Sequence, residues 1–310
     1  MEVAILLATY NGEKYIAEQM DSLLVQSCEE EMKIYVHDDG SKDSTSAILE
    51  KYAREHPELI DILQGEPTGS ACDNFFFLVN RVQAKYYFFC DQDDIWHKEK
   101  VRQSLAAMKK LEQDVGTDRP LLVFSDLEVM AEDGTTKASR MSAYQSLDPT
   151  RISFRELMIQ NVITGCAVAI NDKCAEYMRR TKPEEYDGVV MHDWWAALIA
   201  AKFGRIGYID APLARYRQHD SNTLGARKVM STRYLREKLP GGAISRSMRE
   251  KEEQTALFLK TYHQPVEGNE TAYAFSVLHT KTKWQRLAFY RKNHVWKSGV
   301  LRNIGLVLFG

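Results

Sequence analysis

The sequence predicts an α/β protein with a doubly wound, mostly parallel sheet and a helical extension at the C-terminus. Short apolar runs alternate with amphipathic segments of helix length through the first third of the chain, a pattern typical of strand–helix–strand units. Strand signals continue to about residue 218, and charged helical patterns follow. We therefore expect two regions, residues 1–225 and 226–310, within a chain long enough for one large domain or two.

The individual elements follow from the spacing of apolar residues. Glu2–Ala8 is an apolar run of strand length, and Glu13–Gln26 has apolar residues at helical spacing. Further strands are predicted at Met32–His37, Ile60–Leu63, Tyr86–Cys90, Leu121–Ser125, Thr164–Ile170, Arg205–Ile209 and Ala214–Gln218. Further helices are predicted at Ser41–Tyr52, Gly69–Val82, Lys98–Gln113, Phe154–Asn161, Asp193–Phe203 and Arg233–Tyr262, the last interrupted at Pro240–Gly242.

A cluster of acids follows the strand at Tyr86–Cys90. Asp91, Asp93 and Asp94 lie within four positions, and like charges this close repel one another. A divalent cation bound by carboxylate oxygens would offset that repulsion, and ligands of open α/β sheets bind at the carboxyl ends of the strands. The segment therefore indicates a metal site for a phosphate-bearing substrate, and a solvated acidic loop is the alternative.

Two earlier strands also end in polar loops. The first strand runs into Thr9-Tyr10-Asn11-Gly12-Glu13, and the second into Asp38-Asp39-Gly40-Ser41. A small-residue loop before a helix favours a polar or anionic ligand, whereas a plain turn and a helix cap are the alternatives. The sequence has neither a Gly-x-Gly-x-x-Gly fingerprint nor a Walker lysine, which argues against a dinucleotide fold or a P-loop.

Composition excludes several classes of protein. The net charge of −2 argues against a general nucleic-acid binder. Five scattered cysteines without a Cys-x-x-Cys pair indicate neither a zinc site nor a disulfide framework. Without a signal-peptide pattern or an apolar run of about 20 residues, we expect a cytoplasmic protein.

The C-terminal residues 281–310 carry seven Lys or Arg and no Asp or Glu. Trp, Phe and Leu residues are interleaved with these basic residues, as in a helix that lies on an anionic membrane surface. An ordinary amphipathic helix packed on the domain, or on a second subunit in a homo-oligomer, is the alternative.

The three strand-end motifs together resemble the family-2 glycosyltransferases, which have the A-type fold. Those enzymes carry a strand ending in Thr-Tyr-Asn, an Asp-Asp-Gly-Ser turn and an Asp-x-Asp-Asp motif, all present here. Segments 69–74 and 161–166 resemble the family as well, and so does His192-Asp193-Trp194-Trp195, at the place of the family's catalytic base. The resemblance covers roughly residues 1–225 and implies a nucleotide-sugar-binding catalytic domain.

The resemblance implies a role for each matching position. Asp193 is the expected general base, and Asp93 and His219 are the expected ligands of Mg²⁺ or Mn²⁺. The expected nucleotide contacts, with Asp39 on the base, are Thr9, Tyr10, Asn11, Glu13, Asp39, Asn74, Asp91 and Gln92. The expected contacts to the donor or acceptor sugar are Asp94, Gly165, Trp194, Trp195 and Arg217. Core packing of the tryptophans and a structural salt bridge of Arg217 are the alternatives.

Similarity to bacterial rhamnosyltransferases implies a narrower function. The motifs Asp-Gln-Asp-Asp-Ile-Trp, His-Asp-Trp-Trp and Tyr-Arg-Gln-His-Asp-Ser-Asn imply a dTDP-rhamnose donor and a saccharide or lipid-linked saccharide acceptor in cell-wall or capsule synthesis. The Gln-x-x-Arg-Trp motif of processive members is missing, so we expect a non-processive hexosyltransferase. A metal-dependent phosphotransferase or phosphatase, and a non-catalytic scaffold of a polysaccharide assembly complex, are the alternatives.

Overall fold

The computed structural model describes residues 1–219 and 243–309. Nine strands in these residues form one sheet, in the order β3-β2-β1-β4-β8-β6-β9-β5, with β7 paired to β6. The strands are β1 Val3–Thr9, β2 Met32–Asp38, β3 Ile60–Ile62, β4 Tyr86–Asp91, β5 Ile95–Trp96, β6 Leu121–Ala131, β7 Thr136–Ala138, β8 Val168–Asn171 and β9 Arg205–Gln218. The alternation of strand and helix that the sequence predicts through the first third is present.

The sheet is parallel in its N-terminal half and mixed beyond it. Strands β3, β2, β1 and β4 pair in parallel. Strand β8 is antiparallel to β4 on one side and to β6 on the other, and β5 and β7 also pair antiparallel. The prediction of a mostly parallel sheet therefore describes the N-terminal half of the fold, and the second half is mixed.

The last strand differs from its prediction. Arg205–Ile209 and Ala214–Gln218 are two halves of one strand, β9, which runs parallel to β6. The register shifts where Asp126 of β6 lies opposite Pro212. Because proline has no backbone N–H to donate, it is tolerated at such an irregularity, and the strand continues past it.

The described residues contain twelve α-helices. They are α1 Ile16–Leu24, α2 Thr45–Glu55, α3 Ala71–Arg81, α4 Lys100–Val115, α5 Met141–Gln145, α6 Phe154–Ile159, α7 Asp172–Met178, α8 His192–Phe203, α9 Ala243–Thr261, α10 Glu270–Ser276, α11 Lys283–Asn293 and α12 Val300–Phe309. Helices α1 to α4, α6 and α8 match predicted helices within a few residues, whereas α5 and α7 have no predicted counterpart. The predicted strand at Thr164–Ile170 begins with a 3₁₀ turn, Gly165–Ala167, ahead of β8.

Both faces of the sheet are buried, because successive side chains of a strand point to opposite faces. Leu6 and Phe89 belong to the hydrophobic cluster on one face, and Leu7 and Phe88 belong to the cluster on the other. Helices cover both sides, as a doubly wound sheet requires. This rigid frame fixes the loops at the carboxyl ends of β1, β2 and β4.

The C-terminal helices share a core with α8. Trp195 of α8 packs against Phe258 and Tyr262 of α9, with ring centroids 5.4 and 6.0 Å apart. Tyr290 and Leu306 belong to the same hydrophobic cluster. The predicted boundary at residue 225 and the predicted break at 240–242 lie outside the described residues. No helix in the described parts of the chain is long and apolar enough to cross a membrane.

All five cysteines are free thiols in this structure. Cys28 is half-buried, and the other four are buried. Burial raises the pKa of the Cys90 and Cys166 thiols well above the usual range, so these thiols stay protonated at neutral pH.

Candidate active site

The register of the parallel strands brings the three polar loops to one edge of the sheet. Thr9, at the end of β1, lies opposite Asp38 of β2, and Ala8 lies opposite Asp91 of β4. The loop after β1 is therefore flanked by the acids of both neighbouring strands, as the sequence predicts.

Hydrogen bonds join the loop after β1 to the loop after β2. The hydroxyl of Thr9 donates to Oδ1 of Asp38 at 2.8 Å. Asn11 adopts a left-handed backbone conformation, with φ 47°, and its Oδ1 accepts from the amide of Lys42 at 2.8 Å. Oε2 of Glu13 accepts from the amide of Ser44 at 2.9 Å. In this structure Thr9, Asn11 and Glu13 therefore fix the shape of the two loops.

Asp39 also holds a loop in place. It is 8% exposed, and its carboxylate accepts from the Thr68 hydroxyl at 2.8 Å and from the Gly69 amide at 3.0 Å. Gly69 has φ +87°, which an L side chain rarely adopts. The acid thus shapes the segment that leads into α3, and it lies at the sheet edge where a nucleobase is expected.

Asn74 is placed differently from its prediction. Its side chain is 2% exposed, and it bonds both the ring nitrogen Nδ1 of His37, at 2.9 Å, and the carbonyl of His37, at 3.2 Å. Because these contacts bury both ends of the amide, the structure favours a supporting role beneath β2 over a direct nucleotide contact.

Gln92 fastens the acidic loop to the loop after β1. Its Oε1 accepts from the amide of Tyr10 at 2.8 Å, and its Nε2 donates to the carbonyl of Tyr10 at 2.9 Å. A Cβ at Gly12 would overlap the Gln92 side-chain amide, so the glycine makes this close approach feasible. The Tyr10 side chain itself is 52% exposed and is available to a ligand.

Asp91 and Asp94 form the centre of the acidic loop together with Cys166. Their ligand atoms all lie within 4.8 Å of one another. Burial raises the pKa of Asp91 well above its usual range, and the charge of Asp94 raises it further. Burial, and then the charge of Asp93, raises the pKa of Asp94 to about 7. One oxygen of Asp94, Oδ2, is buried without a hydrogen-bond partner.

A buried lysine lies beside these acids. Lys100 is 0% exposed, its ammonium group donates to the carbonyl of Cys166, and it lies 3.9 Å from the centre of the Trp96 ring. Burial lowers its pKa, while the charges of nearby groups, including Asp94 and Asp91, raise it. Lys100 therefore supplies positive charge to a group of acids that has little access to water.

Asp93 pairs with His219 rather than with the other two acids. Oδ2 of Asp93 lies 2.6 Å from Nε2 of His219, and the imidazole stacks on Tyr15 with ring centroids 4.9 Å apart. The two predicted metal ligands are thus brought together from β4 and the end of β9, although they are 126 positions apart in the sequence. This agreement supports the pairing, and metal binding by the pair stays a prediction.

Arg217 is buried among protein groups. Its backbone amide donates to Oδ1 of Asp94 at 3.0 Å, and its Nε donates to the carbonyl of Asp93 at 2.9 Å. Its terminal nitrogens contact the carbonyl of Glu132, at 3.0 Å, and the carboxylate of Glu18. The structural salt bridge that was the alternative for Arg217 is present, and the geometry favours positioning of the acidic loop over direct contact with a sugar.

Asp193 lies at the start of α8, where the helix dipole favours a negative charge. It is 6% exposed, and its Oδ1 accepts from the amide of Trp194 at 2.5 Å. Burial raises the pKa of Asp193 to about 7, against the opposing effect of the backbone amides of Trp194 and Gly165. A Cβ at Gly165 would lie 3.1 Å from Nε2 of His192 and 3.5 Å from Cβ of Asp193. Gly165 therefore lets the 3₁₀ turn approach the acid closely.

The two tryptophans beside Asp193 have separate surroundings. Trp195 is fully buried, and its indole N–H donates to the Thr181 hydroxyl at 2.8 Å. Since no face of this ring reaches solvent, the sugar contact predicted for Trp195 is corrected to core packing. Trp194 is 7% exposed and donates to the carbonyl of Leu157 at 2.7 Å, so little of its surface is open to a ligand.

The residues of the acidic loop fit a hard divalent cation. Asp91, Asp93 and Asp94 supply carboxylate oxygens, the ligands that Mg²⁺ and Mn²⁺ prefer. Burial raises the pKa values of Asp91 and Asp94, and a bound cation would stabilise their charged carboxylates. Cys166 is a soft ligand with a thiol that stays protonated, which fits such a cation poorly.

The sequence analysis assigned no role to Lys100 or to Cys166, although Cys166 ends the segment 161–166 that resembles the family. A signal for Lys100 exists, because it shares the buried side of α4 with Val101, Ser104, Leu105 and Met108, a position where a lysine is uncommon. A separate cavity lined by Ser153, Lys202 and Asn269 contains none of the predicted site residues.

Residues 4–173, more than half of the chain, match the family described as Glycosyl transferase family 2. The chain belongs to glycosyl transferase family 2. Its expected enzyme class, glycosyltransferase, and the predicted family are therefore confirmed.

Curated relatives of this family-2 chain include a dTDP-rhamnosyl transferase, RfbG of Shigella flexneri. The two are 27% identical over 245 residues, which covers 74% of this chain and 77% of RfbG. A putative teichuronic acid biosynthesis glycosyltransferase, TuaG of Bacillus subtilis, is 28% identical over 171 residues, or 55% of this chain and 62% of TuaG. The chain thus spans most of one relative and about three fifths of the other.

Solved structures with the same fold include two glycosyltransferases bound to nucleotides. S. aureus TarS 1-349 in complex with UDP has a TM-score of 0.54 at 13% identity, covering 96% of this chain and 93% of that one. The mannosyltransferase PcManGT from Pyrobaculum calidifontis, in complex with GDP-Man and Mn2+, has a TM-score of 0.57 at 14% identity, covering 99% and 78%. These likenesses confirm the predicted A-type fold.

Proposed function

We propose that this glycosyltransferase is an inverting, metal-dependent enzyme that moves a sugar from a nucleotide-diphosphate donor to a saccharide hydroxyl. The observation that carries the proposal is the position of four acids with two different surroundings. Asp91, Asp93 and Asp94 lie at and just after the end of β4, whereas Asp193 lies on a different element, at the start of α8. Two acidic sites are what such a transfer needs, one beside the leaving diphosphate and one beside the attacking hydroxyl.

Asp93 and His219 are proposed to hold Mg²⁺ or Mn²⁺ next to the donor diphosphate. When bound, such an ion neutralises the charge that grows on the leaving group. PcManGT supports this assignment, since that protein was solved with Mn2+ and GDP-Man. Within this chain, Arg217 fixes the backbone of Asp93 and the side chain of Asp94, so the acids are held in place before a ligand arrives.

Asp193 is proposed to remove the proton from the acceptor hydroxyl. A carboxyl with a pKa of about 7 is better matched to neutral pH than an ordinary aspartate, because a general base works best when its pKa lies near the working pH. The amide of Trp194 holds the carboxylate in place at the start of α8. Gly165 and the edge of Trp194 are proposed to border the sugar, and Asp94 to face the donor sugar.

The nucleotide is proposed to lie across the ends of β1, β2 and β4. Tyr10 is the exposed side chain there, and Asp39 and Asp91 are proposed to contact the base and the ribose. Asn11, Glu13, Asn74 and Gln92 would act by fixing the loops, as their hydrogen bonds indicate. The division of the chain into a catalytic domain, 1–225, and a helical region, 226–310, belongs to the same proposal.

Rhamnose from dTDP-rhamnose is the proposed donor sugar. The likeness to RfbG, named as a dTDP-rhamnosyl transferase, supports this choice. The likeness to TuaG, named for teichuronic acid biosynthesis, supports a surface polysaccharide as the product. We propose a lipid-linked saccharide acceptor, met at the cytoplasmic face of the membrane by a peripheral enzyme.

A metal-dependent phosphotransferase is the second candidate that the acids alone would allow. Such enzymes carry a nucleophilic Asp at the end of the first strand, where this chain has Thr9 bonded to Asp38, so the geometry disfavours it. A non-catalytic scaffold is disfavoured because Asp193 is held at the start of α8 with a raised pKa, which a scaffold does not need.

A panel of nucleotide sugars with Mg²⁺, Mn²⁺ or EDTA, read by thermal shift, tests the proposal. The true donor at about a hundredfold excess over its Kd should raise the melting midpoint by about 5 °C, and only with a metal. Asp93→Asn should lose this shift, whereas Asp114→Asn, an exposed acid on α4, should keep it. A shift that persists in EDTA, or in Asp93→Asn, would exclude the proposed metal site.

A further inference from the structure

The C-terminal segment has an unusual charge distribution on its surface. Residues 281–310 carry seven basic residues and no acid. Lys281, Lys283, Arg291 and Lys292 are exposed. Their positive charge is therefore not offset by any carboxylate of the same segment.

Large apolar side chains are exposed among these basic residues. Val300, Leu301, Ile304 and Leu308 of α12 are 75, 43, 48 and 51% exposed, and their spacing places them on one side of a helix. The other side of α12 packs on the protein: Leu306 is 1% exposed. The helix therefore has one face against the core and one apolar face in solvent.

Helix α11 adds a tryptophan to the same surface. Trp284, in the first turn of α11, is 78% exposed. The neighbouring Lys283 donates from its ammonium group to the carbonyl of Leu308 at 3.1 Å, which joins the first turn of α11 to the last turn of α12. We call the set Trp284, Val300, Leu301, Ile304 and Leu308 the C-terminal apolar face.

We propose that the C-terminal apolar face docks the enzyme on an anionic lipid surface. Apolar side chains enter the boundary between headgroups and acyl chains, and the basic side chains around them meet the negative headgroups. Tryptophan is the residue that most favours this depth. The ten residues of α12 span about 15 Å, half the thickness of a bilayer core, so the helix lies on the surface.

A second copy of the chain fits this face less well. A two-fold dimer would place the same patch of each copy against the other. Basic residues would then face basic residues, with no acid in the segment to pair with them. The positive charge of the segment thus favours an anionic lipid leaflet over a second copy of the chain.

The docking proposal rests on the proposed function in one respect only: a lipid-linked acceptor would be reached at the membrane surface to which the enzyme binds. Binding to lipid needs neither donor nor acceptor. A protein that transfers sugar but ignores vesicles would overturn the docking alone, and one that binds vesicles but transfers no sugar would overturn the proposed function alone.

Co-sedimentation of the full chain with vesicles tests the proposal. We expect binding to phosphatidylcholine vesicles that contain phosphatidylglycerol, weaker binding at high salt, and little binding to phosphatidylcholine alone. The double variant Trp284→Ser, Ile304→Ser should bind at least about tenfold more weakly, because it removes apolar area that enters the lipid. A control, Val25→Ser with Val266→Ser, removes apolar residues that are 56 and 58% exposed elsewhere and should bind normally.

A variant with fewer basic residues separates the electrostatic contribution to lipid binding from the apolar contribution. Lys281→Gln, Arg291→Gln and Lys292→Gln together should weaken binding by about fivefold per substitution, whereas Lys51→Gln with Arg54→Gln on α2 should not. Because all these side chains are exposed, the melting midpoints should match that of the unsubstituted chain. Deletion of 281–310 is a poorer test, since it removes Tyr290, which is 1% exposed.

Three outcomes would overturn the proposal. They are equal binding to neutral and anionic vesicles, unchanged binding by the Trp284→Ser, Ile304→Ser variant, and a dimer without lipid that this variant abolishes. The third outcome would assign the face to a second copy, and light scattering of the lipid-free protein detects it.

Discussion

Two regions of the molecule break the usual rule of burial in opposite directions. One is the C-terminal apolar face. The other, which we call the acid edge, consists of Asp91, Asp93, Asp94 and Asp193. At the acid edge, charged groups are buried: Asp94 is 0% exposed and Asp193 is 6% exposed. At the C-terminal apolar face, large apolar groups are in solvent, with Trp284 at 78%. Folded proteins bury apolar groups and leave charges in water. The proposed partners of the two regions, a cation and a lipid surface, therefore have opposite chemistry.

The two regions also differ in how firmly they are held. The acid edge is fixed by hydrogen bonds from Gln92, Arg217 and Trp194, a preorganisation that catalysis requires. The C-terminal apolar face, as proposed, would need only a flat surface, and a hydrogen bond from Lys283 to Leu308 joins its two helices. Substitutions should therefore change chemistry at the first region and affinity at the second.

The largest expected effect is that of Asp193→Asn on sugar transfer. Asparagine keeps the oxygen that accepts the Trp194 amide hydrogen bond at 2.5 Å, but it cannot take up a proton from the acceptor. We expect turnover to fall by about 10²–10⁴-fold, with donor binding unchanged. Single-turnover transfer and donor titration measure the two quantities. Asp187→Asn, an exposed acid ahead of α8, is the control, and near-normal turnover in Asp193→Asn would place the base elsewhere.

Lys100→Met is expected to have the next largest effect, on stability. Methionine fills similar volume but removes the only buried ammonium group described beside Asp91 and Asp94, so the acids lose their internal counter-charge. The free energy of unfolding in EDTA should fall by about 3–5 kcal/mol, as measured by urea denaturation. Mg²⁺ should restore part of the loss, because it supplies positive charge to the same acids.

Lys109→Met on the same helix is the matched control. Lys109 pairs with Glu30 at the surface, with its side chain 48% exposed, where ion pairs contribute little. If Lys100→Met and Lys109→Met are equally stable, the buried lysine does not balance the acids.

The smallest expected effect is that of pH, which should change turnover at the acid edge but not lipid binding by the C-terminal apolar face. The pKa of Asp193 is raised to about 7 by burial, so below pH 7 the protonated carboxyl accumulates and the base is lost. Turnover should fall by about tenfold for each unit below this value. Vesicle binding should stay constant from pH 6 to 8, since Lys and Arg remain charged throughout. A rate that is flat over this range would show that Asp193 does not act as the base.

The sequence predicted the parts of the site that depend on local pattern. The ends of β1, β2 and β4 could be placed because apolar runs end in polar turns, and parallel strands bring such ends to one edge. Asp193 could be placed at a helix start by the predicted helix Asp193–Phe203, and its expected role came from the family resemblance of His192-Asp193-Trp194-Trp195. The pairing of Asp93 with His219 agrees with the expectation that both lie at the metal.

The burial of individual side chains and the contacts between residues far apart in the sequence could not be predicted from the sequence. The sequence does not distinguish Trp195 from Trp194. The helices after residue 243 cover Trp195, and no local sequence pattern predicts how these helices pack. Arg217 is predicted as a sugar contact, whereas its contacts with Glu18 and Glu132 depend on elements about 200 and 85 positions away. The continuity of β9 was hidden by Pro212, which normally ends a central strand.

The buried thiols give the enzyme a built-in reporter of its own opening. Cys90 lies one position before the acidic loop, Cys166 lies beside it in the 3₁₀ turn Gly165–Ala167, and Cys174 lies beneath α8, where its Sγ is 3.7 Å from the carbonyl of Ala196. A buried, protonated thiol reacts with an alkylating reagent only after the surrounding structure has opened. The rate at which each of these cysteines is alkylated therefore reports a different local opening. Loosening of the catalytic loop and unfolding of the helix layer can thus be followed separately within one unmodified chain.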